Sequence, residues 1–213
     1  MIKTNKRTLL LTSLIIVLPL CIGLVLWNQL PNTMATHFGI HGDADGFSSK
    51  PFAILFLPLF LLAIHWFSVF IISADPRKQN ISPKIFTIIL WILPILSLYT
   101  GLLIYSYNMG YPLHVKTWTE GFLGFLFLII GNYLPKTRQN YTIGIKVPWT
   151  LDNVENWNRT HRLAGYVWIL CGLIIVVQSF LGLHNVYLMI GLILLMTLIP
   201  CIYSYWLHIH DHL

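Results

Sequence analysis

The chain has 213 residues, 56% of them hydrophobic and only 9% charged, with a formal net charge of +6. Soluble domains carry about 25% charged residues, so this composition excludes a water-soluble globular protein and points to one that crosses a bilayer several times. The 3 cysteines, Cys21, Cys171 and Cys201, all lie in apolar runs and have no ligand-like spacing. They are expected to be packing residues, not a disulfide framework or a metal site.

A spanning helix needs about 20 mostly apolar residues. Six runs meet or approach that length: 9–30, 52–74, 85–107, 118–134, 163–183 and 186–207. The expected class is therefore all-α, a single membrane domain of six transmembrane helices. The first run follows Lys3, Lys6 and Arg7 but is too long for a secretory signal core and lacks a good cleavage signature, so it reads as a retained helix. The fourth run is the shortest and carries Glu120 near its start. Pro19, Pro58, Pro94 and Pro200 fall inside four of the runs. In a bundle, neighbouring groups can re-satisfy the carbonyls that prolines free, so kinks are expected and not breaks.

The 13 Lys and Arg residues divide 11 to 2 between alternate loops. The N-terminal tail, the 75–84 loop and the 135–162 loop hold the larger share; the opposite loops hold only Lys50 and Lys116. By the positive-inside rule both termini are cytoplasmic. The inner side then has a balance of +7 and the outer side −1, counted with Asp and Glu. Topology and anionic headgroups account for such a basic face, so the charge is no sign of direct nucleic acid binding.

The outer loop, 31–51, reads PNTMATHFGIHGDADGFSSKP. His37 and His41 are four apart, a zinc spacing if helical, and Asp43 and Asp45 could add oxygen ligands. Against this, Gly39 and Gly42 disfavour a helix, and Asp45-Gly46 reads as a turn. The loop is expected to be a folded cap with exposed histidines, suited to meeting an extracellular ligand. His114, Glu120 and His184 belong to the same side.

Glu120 at membrane depth is a functional candidate by default, or an interfacial carboxylate paired with Lys116. His65 and Gln178 could belong to a relay, but interhelical hydrogen bonding explains each more simply. The C-terminal HIHDH (His208, His210, Asp211, His212) has a composition that binds metal, at a chain end where order usually declines.

The inner loop, 135–162, is the longest polar passage. Asn140-Tyr141 and Gly144 suit a turn, and Pro148 pushes Val147 to extended geometry. Thr150 or Asp152 can cap a helix, with Glu155 completing a carboxylate capping box. Val154, Trp157 and His161 then share one side of a short amphipathic helix lying at the headgroups and running into the fifth span. Trp149 and Trp157 would anchor it at the interface, with Arg159 and Arg162 facing phosphates.

The wording GNYLPKTRQNYTIGIKVPWTLDNVENWNRTHRLAG (131–165) resembles the signature of the SdpI-type immunity proteins, bacterial multi-pass proteins of the cell membrane. The outer loop resembles the first loop of that family: LP at 30–31, then HFGIHGDADGFSSK at 37–50. The resemblance implies protection from a secreted killing peptide. It also implies a receptor that, on binding toxin outside, holds a cytoplasmic winged-helix repressor at its inner loop. On the motif matches, the toxin side implies His37, Gly42, Asp45, Ser49 and Lys50. The partner dock implies Asn132, Pro135, Asn140, Gly144, Pro148, Trp149, Trp157, His161 and Arg162. No cofactor is implied, and no catalytic constellation marks an enzyme. The competing readings are a membrane metalloenzyme built on His37, His41, Asp43 and Asp45, a small-solute transporter using Glu120, His65 and Gln178, and a lipid-interacting structural protein.

Overall fold

The computed structural model describes residues 5–210; Lys3, Asp211 and His212, named above for topology and metal binding, lie outside them. The chain forms two compact units, Met1–Ala74 with Pro83–Val115, and Asp75–Ser82 with Lys116–Leu213.

The first unit holds α1 (Lys6–Val25), β1 (Thr33–Phe38), β2 (Ala44–Ser49), α2 (Lys50–Ala74) and α3 (Pro83–Asn108). The expectation of an all-α protein needs correcting here, because the outer loop folds into a two-stranded antiparallel hairpin. Asp45-Gly46 is also not its turn. The chain reverses at Gly39–Asp43, where Gly39 N–H donates to Asp43 O at 2.9 Å; Asp45-Gly46 sits within β2, beside an irregular register. α1 ends at Val25, before the predicted end at residue 30, and short turns lead on to the hairpin.

The core of this unit gathers Leu30, Met34, Ala53, Ile54, Ile104 and Tyr105. With apolar lipid outside, burial alone discriminates little between partners, so polar ties set the helix register. Thr12 Oγ1 meets His65 Nε2 at 3.1 Å, which is the interhelical bond expected of His65. Ser97 Oγ donates to Ile16 O at 2.8 Å, a second interhelical tie, from α3 to α1.

The second unit holds α4 (Val115–Tyr133), a 3-10 turn (Leu134–Lys136), α5 (Pro148–Asp152), α6 (Val154–Phe180) and α7 (Val186–His210). Pro200 frees the carbonyl of Met196, and Trp168 Nε1 fills the gap from α6 at 2.9 Å. All four internal prolines are buried within unbroken helices. Gln178 behaves differently from His65: its amide oxygen and nitrogen are both buried and meet no partner among the described residues.

Among the described residues, 5 helices are long and apolar enough to cross a membrane: α1, α2, α3, α6 and α7. α4 has 19 residues but carries Lys116 and Glu120, and does not join that set. Instead it lies closely against α6. At Gly131 a Cβ would stand 3.1 Å from Gly165 O, and at Gly124 it would stand 2.9 Å from Gly172 O. Ser179 Oγ continues the seam, donating to Thr117 O at 2.7 Å. The pairs 131/165, 124/172 and 117/179 advance in steps of seven on both antiparallel helices, a small-residue stripe that lets two backbones touch.

The residues expected to form a short helix ahead of the fifth span, Val154, Trp157 and His161, lie on the first turns of α6 itself. α5 has only 5 residues, and the chain turns extended at Asn153 before α6 begins at Val154, nine residues ahead of the predicted fifth span. The cap is neither Thr150 nor Asp152. Asn153 Oδ1 accepts the Glu155 and Asn156 N–H groups at 2.8 and 3.0 Å, and Thr150 Oγ1 instead serves the start of α5 by accepting from Val147 N–H.

Candidate functional site

The polar passage 137–161 is a knot of hydrogen bonds, and a loop distant in sequence ties it. Asp75, buried at the end of α2, accepts from Tyr141 N–H at 3.0 Å, from the Thr142 hydroxyl and from Arg77 N–H at 2.7 Å. Arg77 donates to Gln139 Oε1 and lies over the Tyr141 ring at 4.8 Å. Gln139 Nε2 in turn donates to Thr150 O and Leu151 O at 2.7 and 2.9 Å. Within the turn, Asn140 Oδ1 accepts from Thr142 N–H and Ile143 N–H at 2.8 and 2.6 Å. Asn140, itself 1% exposed, thereby closes the turn from its own side chain, as burial of a polar group demands.

α6 supplies the floor of the knot. Trp157 and His161 are both 0% exposed and stack with ring centroids 4.0 Å apart. Trp157 Nε1 donates to Thr137 O at 2.8 Å. His161 Nδ1 lies 2.8 Å from Trp157 O, and His161 Nε2 accepts from Ile145 N–H at 2.9 Å. One ring nitrogen must donate and the other accept, so the geometry fixes the neutral tautomer carrying its proton on Nδ1. A second tie joins α6 to α7: Asn156 Nδ2 donates to Ser204 O at 2.9 Å and Ser204 Oγ donates to Asn156 Oδ1 at 2.6 Å.

This arrangement sorts the residues expected to dock a partner. Asn140, Gly144, Trp157 and His161 build the knot from inside, and Trp157 is a buried strut, not the expected interfacial anchor. Asn132, Pro135, Pro148 and Arg162 are exposed on its surface. Half-buried Trp149 packs against Tyr205 and His208 of α7. Trp157→Phe keeps the stacked ring but leaves buried Thr137 O without its donor. It should cost roughly 1–3 kcal/mol, read as a lowered thermal midpoint in detergent with helix content retained.

On the hairpin, His37 Nδ1 pairs with Asp45 Oδ1 at 2.5 Å, both side chains largely exposed. Gly42 makes the reversal at φ +86, and Ser49 is exposed. Lys50 is only 7% exposed; it donates to Trp27 O at 3.0 Å and serves the fold. Among the described residues, no three His, Cys, Asp or Glu side chains gather into a set that could hold a metal ion; His37, His41, Asp43 and Asp45 yield the one pair. Glu120 pairs with His184 and not with Lys116. His184 Nδ1 lies 2.8 Å from Glu120 Oε2 and His184 Nε2 lies 3.0 Å from Thr117 Oγ1, while Lys116 Nζ donates to His184 O.

Sequence reasoning missed Asp75, Arg77, Gln139, Asn153, Ser204 and the glycine stripe. Asp75 had one signal: it is the single acidic residue at the end of a run otherwise empty of charge. The stripe had another, glycines seven apart on two predicted spans.

Two family models match, one in each unit. Residues 136–204 match the SdpI/YfhL protein family, and residues 14–62 match a domain of unknown function (DUF1648). The chain is 27% identical over 202 residues to the immunity protein SdpI of Bacillus subtilis strain 168, covering 92% of this chain and 93% of that one. No solved structure is significantly similar to it. The family segment takes in nearly all of the knot, and the likeness to the immunity protein runs through both units. With five membrane-length helices among the described residues, this is a multi-pass membrane protein whose segment 136–204 is similar to the SdpI/YfhL protein family.

Proposed function

We propose that this chain is an immunity protein of the bacterial cell membrane, protecting its host from a secreted killing peptide. The observation that carries the reading is the 27% identity to an immunity protein along 92% of the chain. In this reading α4 is a sixth crossing, so both termini are cytoplasmic and the hairpin faces out. Its 19 residues span about 28 Å at 1.5 Å per residue, and its charged end needs only reach the outer interface.

The receptor role forms the second half of the proposal. The hairpin, with exposed His37 and Asp45, meets toxin, and the surface of the knot holds a winged-helix repressor. The buried network supports a rigid platform, from which Arg162, Pro135, Pro148 and the edge of Trp149 are presented. A toxin can shift such a system only by preferring one of two states.

The test is survival of a toxin-sensitive bacterium expressing the chain and challenged with the SDP-type killing peptide, at matched membrane abundance. Wild type should protect, and His37→Ala should protect less. Arg162→Glu and Trp149→Ala should protect normally yet fail to retain the repressor at the membrane. Failure of the wild type to protect would overturn the immunity reading. Full repressor retention by both inner variants would overturn the dock.

A further inference from the structure

We infer that the free edge of β2 is a strand-addition site for an extended peptide segment that sets an apolar side chain against Phe47 and a basic one near Asp45. The inference rests on the proposal that the hairpin meets a secreted peptide. It goes further in specifying how.

The ladder phase identifies the edge. Lys50 N–H donates to Asn32 O at 2.8 Å, and the register runs unbroken through Thr33↔Ser49, Met34↔Ser48 and Ala35↔Phe47. Antiparallel ladders alternate. The 34/48 pair therefore bonds inward, and the main-chain groups of Ala35, Phe47 and the Ser49 N–H point away from the ribbon. Asn108 of α3 establishes this phase independently. Its Oδ1 accepts from Ala35 N–H at 2.8 Å and its Nδ2 donates to Ala35 O at 3.0 Å. One amide side chain thus covers the outer edge of β1 as a strand would. The outer edge of β2 has no such cover: Phe47 N–H and C=O and Ser49 N–H meet no partner among the described residues.

Open edges are normally blunted because they invite pairing. Here the edge is advertised, with the Phe47 ring 62% exposed. Donors and acceptors two residues apart along a strand are matched by another extended backbone, the chemistry of strand addition. Charge narrows the occupant. Asp43 and Asp45 are exposed on the hairpin, whereas Lys50 is buried and turned to Trp27 O. A basic peptide is favoured; a second copy would bring the same carboxylates and no free lysine.

Phe47→Pro removes the outward N–H and the ring without touching an inward ladder bond, a substitution edge strands tolerate. The experiment uses the full chain in detergent with the SDP-type killing peptide as probe, and the same variants in the survival assay. Peptide should slow exchange of the Phe47 and Ser49 amides. Phe47→Pro should lower the tolerated peptide dose by about tenfold or more, the equivalent of roughly 1.4 kcal/mol of lost contact. Ile40→Ala, an exposed apolar change in the turn, should leave it unaltered. If wild type protects but those amides exchange unchanged and Phe47→Pro protects fully, the edge is not the site and the immunity reading stands. If wild type neither binds nor protects, both fall. Slowing that depends on protein concentration without peptide assigns the edge to a second copy and overturns the proposal.

Discussion

Gly144→Ala is expected to open the polar knot and lower stability by roughly 2–5 kcal/mol, strain and overpacking combined. Gly144 has φ +117, a left-handed backbone that costs any L side chain. A Cβ there would also run into His161 Nε2 and the Trp157 ring, its distance to Trp157 Cζ2 being 3.0 Å. Neither neighbour can yield. His161 is held at both ring nitrogens, and Trp157 is held by Thr137 O. Moving the turn outward instead would break the Ile145–His161 bond and strand a buried acceptor. The thermal midpoint in detergent should fall well below wild type, and the Thr142, Ile143 and Ile145 amides should exchange together. Gly110 provides the control. It has φ +81 with nothing within 4 Å of a built Cβ, so Gly110→Ala should cost only the backbone strain, about 1–2 kcal/mol. Equal midpoints for the two variants would show that the knot does not press on Gly144.

The membrane class and most helix positions were legible because they depend on composition over some twenty residues, which no single contact overturns. The prolines were legible for the same reason, together with the rule that bundles heal them. Trp168 donating to Met196 O is that healing in one bond. What escaped was whatever depends on partners distant in sequence. Trp157 and Trp149 both look like interfacial anchors by type and position. Only the fold of 137–145 over α6 buries Trp157 completely while Trp149 rests half-buried on α7. The motif residues expected to dock a partner divide for this reason: a motif records which residues are required, not whether they touch a ligand or hold up the surface that does. Asn153 was passed over for Asp152, one residue away, because both types cap equally well. The hairpin was missed because Gly39, Gly42 and Gly46 weaken the strand pattern, and Asn108, which secures β1, lies 73 residues from Ala35.

Gly172→Leu is the second large effect, because it tests what keeps α4 in place. α4 carries Lys116 and Glu120 in its first turns and lacks the apolarity of the other long helices. A lipid environment offers it little reason to stay, so packing must supply one. The stripe of small residues does so by bringing backbones together, and the atoms a new Cβ would meet are themselves backbone. At Gly172 these are Gly124 O at 2.9 Å and Leu128 N at 3.0 Å. No rotamer change relieves such a contact; the helices must separate, and the whole seam would then lose its dispersion contacts. The loss should be at least about 2–3 kcal/mol, with larger side chains costing more. Gly191→Leu on α7, where nothing lies within 4 Å of a built Cβ, should change little. Separation would also draw Thr117 from Ser179 and loosen the contacts of Glu120 and Thr117 with His184, which all hang on the same end of α4. Thermal midpoints of both variants, with protease sensitivity of the segment between α3 and α4, give the reading. A Gly172→Leu protein as stable and resistant as Gly191→Leu would mean α4 is held by its surroundings and not by α6, and the glycines seven apart would be incidental.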